Sequence, residues 1–254
     1  MRISGNTIFI PGSTSGIGLA LALALQANGN TVIIGGRRQE LLDDIAATHP
    51  GLGTIRIDAD DPASIGAAAT QVITDHPELD VLIPMAGIMH VEDWRRPDMF
   101  LESAEQVITT NVLGSIRLIA AFIEHLQTRP STVITVSSGL AFVPLAVTPS
   151  YNASKAAIHQ LTKSLRLQFA GTSVEFKELV PPSVATDLLP GQRESSYAMP
   201  LGEFVAEVVG ILENDPDALE IQVERVKFLR YAEARGDYDT VVQTLNAADP
   251  HGAQ

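Results

Sequence analysis

The chain has 254 residues, 45% hydrophobic and only 5% aromatic, enough for one large α/β domain whose core is built from Ala, Val, Ile and Leu. Seventeen Lys and Arg stand against 30 Asp and Glu, a formal charge of −13, which argues against a nucleic-acid binder because phosphate contacts need clustered cations. There is no Cys, so disulfides, thiolate nucleophiles and Cys-ligated zinc are excluded together.

In chain order, short β-rich runs alternate with helical patterns. The opening apolar run at 7–10 (TIFI) is too short for a signal peptide and reads as a strand. A Leu/Ala-rich helix follows at 16–28, then a strand at 31–34, a helix at 38–48 and a strand at 54–57. The next helix, 62–76, has Asp60 or Asp61 as its N-cap. Then come a strand at 81–85, a long helix at 103–127, a strand at 132–136 and a long helix at 151–169. A strand at 174–180, a helix at 201–213 and a strand at 219–223 complete the series. Several strands are continuous apolar runs, which fits a sheet buried on both faces. The expected fold is therefore a Rossmann-like, doubly wound parallel sheet of about seven strands with helices on both faces. One domain is expected over residues 1–246, with an irregular lid insert at 187–200 and a polar tail at 247–254. No stretch approaches ~18 uninterrupted apolar residues, so no membrane association is expected and the chain reads as cytoplasmic.

The first strand runs into Pro11-Gly12-Ser13-Thr14-Ser15-Gly16-Ile17-Gly18. Glycines at such a strand–helix junction let backbone approach a pyrophosphate, which rests on the helix N-terminus. At the end of the second strand, where an acid would hold the ribose 2′-hydroxyl of NAD, stand Gly35-Gly36-Arg37-Arg38. Two guanidiniums without a carboxylate suit the 2′-phosphate of NADP(H).

Tyr151-Asn152-Ala153-Ser154-Lys155 opens the second long helix, with Tyr and Lys at i and i+4 on one face. A nearby ammonium is expected to draw the phenol pKa down, making Tyr151 an acid/base for a carbonyl or alcohol. Ser137-Ser138 closes the fifth strand and Asn111 lies inside the first long helix.

With these motifs, residues 5–225 resemble the short-chain dehydrogenase/reductase family. The resemblance implies that Ser138 orients the substrate oxygen, Ser137 being the alternative. It implies that Tyr151 is the acid/base, that Lys155 binds the nicotinamide ribose, and that Asn111 holds a water extending the proton relay. Cofactor contacts are implied at Gly12, Ser13, Ser15, Gly16, Ile17, Gly18, Arg37, Arg38, Asp58, Ala86, Gly87, Tyr151, Lys155, Val184 and Thr186. Departures are Pro11 for the usual Thr, Pro84-Met85-Ala86-Gly87 for Asn-Asn-Ala-Gly, and Pro181-Pro182-Ser183 for Pro-Gly-x. The ending, from Val223 to Arg230 and into a charged helix, resembles the subgroup named for the teichoic-acid D-alanylation locus.

The expected activity is NADP(H)-dependent reduction of a carbonyl to an alcohol, or its reverse. The apolar segment 140–144 would wall the substrate site in such a fold, which favours an apolar small molecule. Rival readings are an NAD-dependent alcohol dehydrogenase of the same fold and a dinucleotide sensor without turnover; Arg37 opposes the first and the intact Ser–Tyr–Lys set the second. Six scattered histidines give no ligand spacing, so no metal is expected. Trp94 and His90 follow the fourth strand, where Trp94 is either a pocket wall or a lid anchor. The long helices carry more apolar residues than one buried face requires, which points to a homodimer or homotetramer.

Overall fold

The computed structural model describes residues 1–247; His251 and the polar tail from 248 onward lie outside the described residues. The strands are β1 (Thr7–Pro11), β2 (Thr31–Gly36), β3 (Gly53–Arg56), β4 (Val81–Leu82), β5 (Ser131–Val136), β6 (Val174–Val180) and β7 (Glu220–Gln222). They form one sheet, in the order β3-β2-β1-β4-β5-β6-β7, and every pairing is parallel. Period-two alternation sends neighbouring residues to opposite faces. Ile8, Ile10, Val32 and Ile34 join one core cluster, whereas Phe9 and Ile33 join the other. Both faces are therefore dry, as the unbroken apolar runs predict.

Helices α1 (Gly16–Ala27), α2 (Gln39–Thr48) and α7 (Leu201–Asn214) cover the first face. Helices α3 (Pro62–Asp75), α5 (Ser115–Leu126) and α6 (Pro149–Gln168) cover the second, where Phe122 packs on Phe9 at 5.3 Å between ring centroids. Asp61 caps α3 by accepting from the Ala63 amide at 2.8 Å. Asp60, the other candidate, accepts from the Thr110 hydroxyl at 2.8 Å instead. Helix α4 (Leu101–Ile108) leads into α5, and the run Leu101–Leu126 is long and apolar enough to cross a membrane by length and composition. Here Leu118, Phe122 and Leu126 pack it on the sheet.

Three elements differ from the sequence expectation. Strand β4 ladders only at Val81 and Leu82, not to residue 85. Ile83 and Met85 still donate to β1, at Phe9 and Pro11, but Pro84 has no N–H for the β5 side. The first long helix is interrupted by a π-helical turn at Thr109–Gly114, the kind of insertion that often marks a functional site. The charged ending is three short helices, α8 (Lys227–Arg230), α9 (Ala232–Arg235) and α10 (Tyr238–Ala247), broken where Gly236 takes φ +77°. The strand order reverses between β1 and β4, which opens a crevice at the carboxyl ends of the strands, where ligands of such sheets bind.

Candidate active site

The β1–α1 loop forms one wall of this crevice. Gly12 has φ +88°, and a Cβ there would lie 2.3 Å from the Ala86 amide nitrogen, so only glycine fits. The loop delivers the chain to Ser15, whose side chain does not cap α1, and the first turn of α1 carries no acid. Its amides are thus open to an anion. Thr186 lies over Gly16, 3.5 Å from where a Cβ would stand. Beside the loop is a cavity of about 400 Å³ lined by Gly12, Thr14, Arg37, Arg38, Asp58, Ala86 and Gly87 among others. This glycine cradle, open helix terminus and pair of exposed guanidiniums fit a dinucleotide phosphate. Ser13 is turned away: its hydroxyl is buried and donates to the Ile10 carbonyl. Thr14, not singled out from sequence, lines the cavity in its place. Val184 is buried and bridged to Met199, holding the loop that carries Thr186.

A second cavity has a volume of about 460 Å³. Ser138 and Tyr151 line it together, while Pro149 in the first turn of α6 sets the helix start just before the tyrosine. Lys155, one turn on, is buried; its amine donates to the Val136 carbonyl at 2.9 Å and lies 5.5 Å from the Tyr151 ring centroid. Asn111 sits in the π-helical turn. Its Oδ1 accepts from the Ile88 amide at 2.8 Å, and its Nδ2 donates to the Ile88 carbonyl at 2.9 Å and to the Ser154 hydroxyl at 3.0 Å. One amide thereby joins the loop after β4 to the catalytic helix.

The expected lowering of the phenol pKa is corrected. Burial pushes Tyr151 up to about 12, with only a hydrogen bond to Ser138 pulling it back. Burial likewise pushes Lys155 down to about 8. Both groups are enclosed, so desolvation of the charged forms outweighs their mutual attraction.

Ser137 and Ser138 point opposite ways, as neighbours at a strand end do. The Ser137 hydroxyl donates to Glu178 at 2.5 Å, and His159 Nδ1 lies 2.9 Å from both oxygens of that fully buried carboxylate. Folding gathers His159, Glu178 and Glu220 within 4.8 Å, a grouping that sequence spacing did not show. Arg230 occupies Glu220 with both ends of its guanidinium, at 2.7 and 3.0 Å. Trp94 walls a separate cavity of about 550 Å³ with Ile108 and Pro149; its Nε1 donates to Glu92 at 2.9 Å and its ring stacks on Phe100. Burial would raise the Glu92 pKa, but hydrogen bonds from Trp94, Ser150 and Ser103 hold it below its usual range.

The family profile described as short chain dehydrogenase matches residues 6–196. The chain belongs to the short-chain dehydrogenase family. Within that family it is 36% identical to the uncharacterized oxidoreductase DltE of Bacillus subtilis, over 98% of this chain and all of the relative. The resemblance of its ending to the D-alanylation subgroup is thus borne out. A short-chain dehydrogenase from Burkholderia cenocepacia, solved in complex with NADP, superposes with a TM-score of 0.80 at 24% identity, over 96% of this chain and 99% of that one. Another from Burkholderia phymatum, solved with NAD, has a TM-score of 0.77 at 16% identity over 94% and 96%. These likenesses show the shared Rossmann-like fold.

In this short-chain dehydrogenase the outer wall of the second cavity comes from the expected lid insert and from the last helices, to which the sequence expectation gave no role. The insert contributes Leu188, Leu189 and Tyr197, and the last helices contribute Phe228, Leu229, Thr244 and Leu245. A Cβ on Gly139, next to Ser138, would lie 2.7 Å from Leu229. Asn246 fastens α10 down through the Ala146 amide and the Pro144 carbonyl. No local motif marks the residues of the last helices; only their position after β7, which ends beside the crevice, does.

Proposed function

We propose that the protein is an NADP(H)-dependent carbonyl reductase acting on small, largely apolar ketones or aldehydes. The observation that carries this reading is the placement of Tyr151 and Ser138 on the wall of an apolar cavity beside the dinucleotide cradle. The bound nicotinamide would supply a hydride to the carbonyl carbon. Ser138 would donate to the carbonyl oxygen and hold it against Tyr151, whose phenol gives the proton; one hydride and one proton convert C=O to CH–OH. Raised by burial to about 12, Tyr151 carries that proton throughout the neutral range and can give it to the carbonyl oxygen. Arg37 and Arg38 at the rim of the nucleotide cavity, with no acid at the end of β2, favour NADP(H) over NAD(H). The same reading includes a cytoplasmic homo-oligomer.

The test is oxidation of NADPH and NADH against a panel of ketones, aldehydes and quinones, run on the native protein and on Tyr151→Phe. Loss of the general acid typically costs ~10²–10⁴-fold in turnover, and we expect that loss with NADPH binding retained. A Tyr151→Phe protein that turns over like the native one removes this residue from the mechanism.

A further inference from the structure

The cavity at Tyr151 is apolar along most of its wall, with Met89, Leu140, Leu145, Leu188 and Leu189 contributing, yet it holds one charged group, Arg225. A lone cation is notable in a chain of net charge −13. Its neighbours sharpen the contrast. Four cations fall between residues 224 and 235, namely Arg225, Lys227, Arg230 and Arg235. Three of them are paired to carboxylates: Lys227 to Glu224 at 2.6 Å, Arg230 to Glu220 at 2.7 Å and Arg235 to Asp237 at 3.1 Å. Arg225 has no carboxylate partner among the described residues. The nearby acids are engaged elsewhere, since Glu224 holds Lys227 and Glu207 accepts from the Glu224 amide at 2.5 Å. Among the described residues the one hydrogen bond of its guanidinium is to the Tyr197 carbonyl at 3.4 Å, which ties it to the insert over the cavity and leaves further N–H groups for a ligand. A guanidinium offers five donors in a fixed fork that matches a carboxylate or phosphate.

We propose that Arg225 is an anion-recognition site for the substrate, and that the physiological substrate is an amphipathic carbonyl compound: carbonyl at Tyr151 and Ser138, apolar body along the leucine wall, carboxylate or phosphate at Arg225. This rests on the carbonyl-reductase reading and adds to it the class of substrate. The apolar wall binds the body without orienting it, whereas the single cation fixes which end enters first.

The experiment compares straight-chain oxo acids of increasing length with their methyl esters, with NADPH, on the native protein, Arg225→Gln and Arg225→Lys. A charge-assisted contact at an exposed rim is worth roughly tenfold. We expect the acid-to-ester ratio of kcat/KM to favour the acid by about that factor at the best length. It should fall toward unity in Arg225→Gln through KM, and be partly restored in Arg225→Lys. Phosphate-ended analogues in the same assay distinguish the two anions. Thermal shift with the same acids and esters reads binding independently of turnover: a larger shift by the acid, lost in Arg225→Gln, supports the site even where no substrate is reduced. An acid and ester that bind and react alike in the native protein, or a ratio indifferent to Arg225→Gln, overturns the proposal. Ester turnover in that case leaves the carbonyl-reductase reading standing.

Discussion

Lys155 and Tyr151 show how burial and chemistry pull against each other at single residues. The lysine titrates at about 8 in the folded chain against 10.5 as a free side chain. At pH 7 it is charged in both the folded and unfolded states, and enclosing the charge costs the fold roughly 3 kcal/mol. Between pH 8 and 10.5 the unfolded chain holds the proton longer, so this group makes stability rise with pH across that window. We therefore expect Lys155→Met to abolish turnover while raising Tm at pH 7, with the advantage shrinking toward pH 10. A Tm at pH 7 below the native one would show that the Val136 hydrogen bond outweighs the buried charge. At the other end of the crevice, Arg37→Asp exchanges a phosphate partner for a ribose-hydroxyl acceptor. The NADPH-to-NADH ratio of kcat/KM should fall by roughly tenfold to a hundredfold, and an unchanged ratio excludes Arg37 as the reader of that phosphate. The Tyr151, Lys155 and glycine-loop positions were legible in sequence because each depends on a short local spacing. The direction of the tyrosine shift was not, because enclosure depends on residues distant in the chain.

Among the elements, strand and helix positions could be read wherever hydrophobic period alone decides them, as in β1, β2, β6 and α7. Reading failed where a single residue acts on the backbone. Pro84 shortens β4 by withholding one amide from β5. Around Asn111, one side chain joins two backbone groups of Ile88 to Ser154, and the helix there is wound as a π turn. Neither effect has a periodic signature. The Glu178 cluster escaped sequence reading for a different reason: Ser137, His159 and Glu178 come from β5, α6 and β6, and only the parallel register of β5 with β6 brings Ser137 beside Glu178.

For the whole molecule, the surface formed by α4, α5 and α6 is where we expect assembly. Ile108, Leu113 and Ile116 are exposed there, and Leu167 on α6 is 81% exposed. These exposed apolar side chains would gain from cover, so we expect two chains to meet through this surface. Ile116→Lys combined with Leu167→Asp should convert a dimer or larger species to a monomer in sedimentation analysis; a native protein that sediments as a monomer at micromolar concentration refutes the interface. The two cavities also divide the chain by position. All residues lining the nucleotide cavity lie at or before Thr110, whereas the outer wall of the substrate cavity comes from residues after Pro182. For an engineer this makes the protein close to modular along its gene. A mutagenesis library confined to codons 188–197, 225–229 and 244–245 would explore the proposed substrate range while leaving the glycine loop, Arg37, Ser138 and Tyr151 intact. Exchanging those codons with a relative's would graft selectivity and leave the reaction itself untouched.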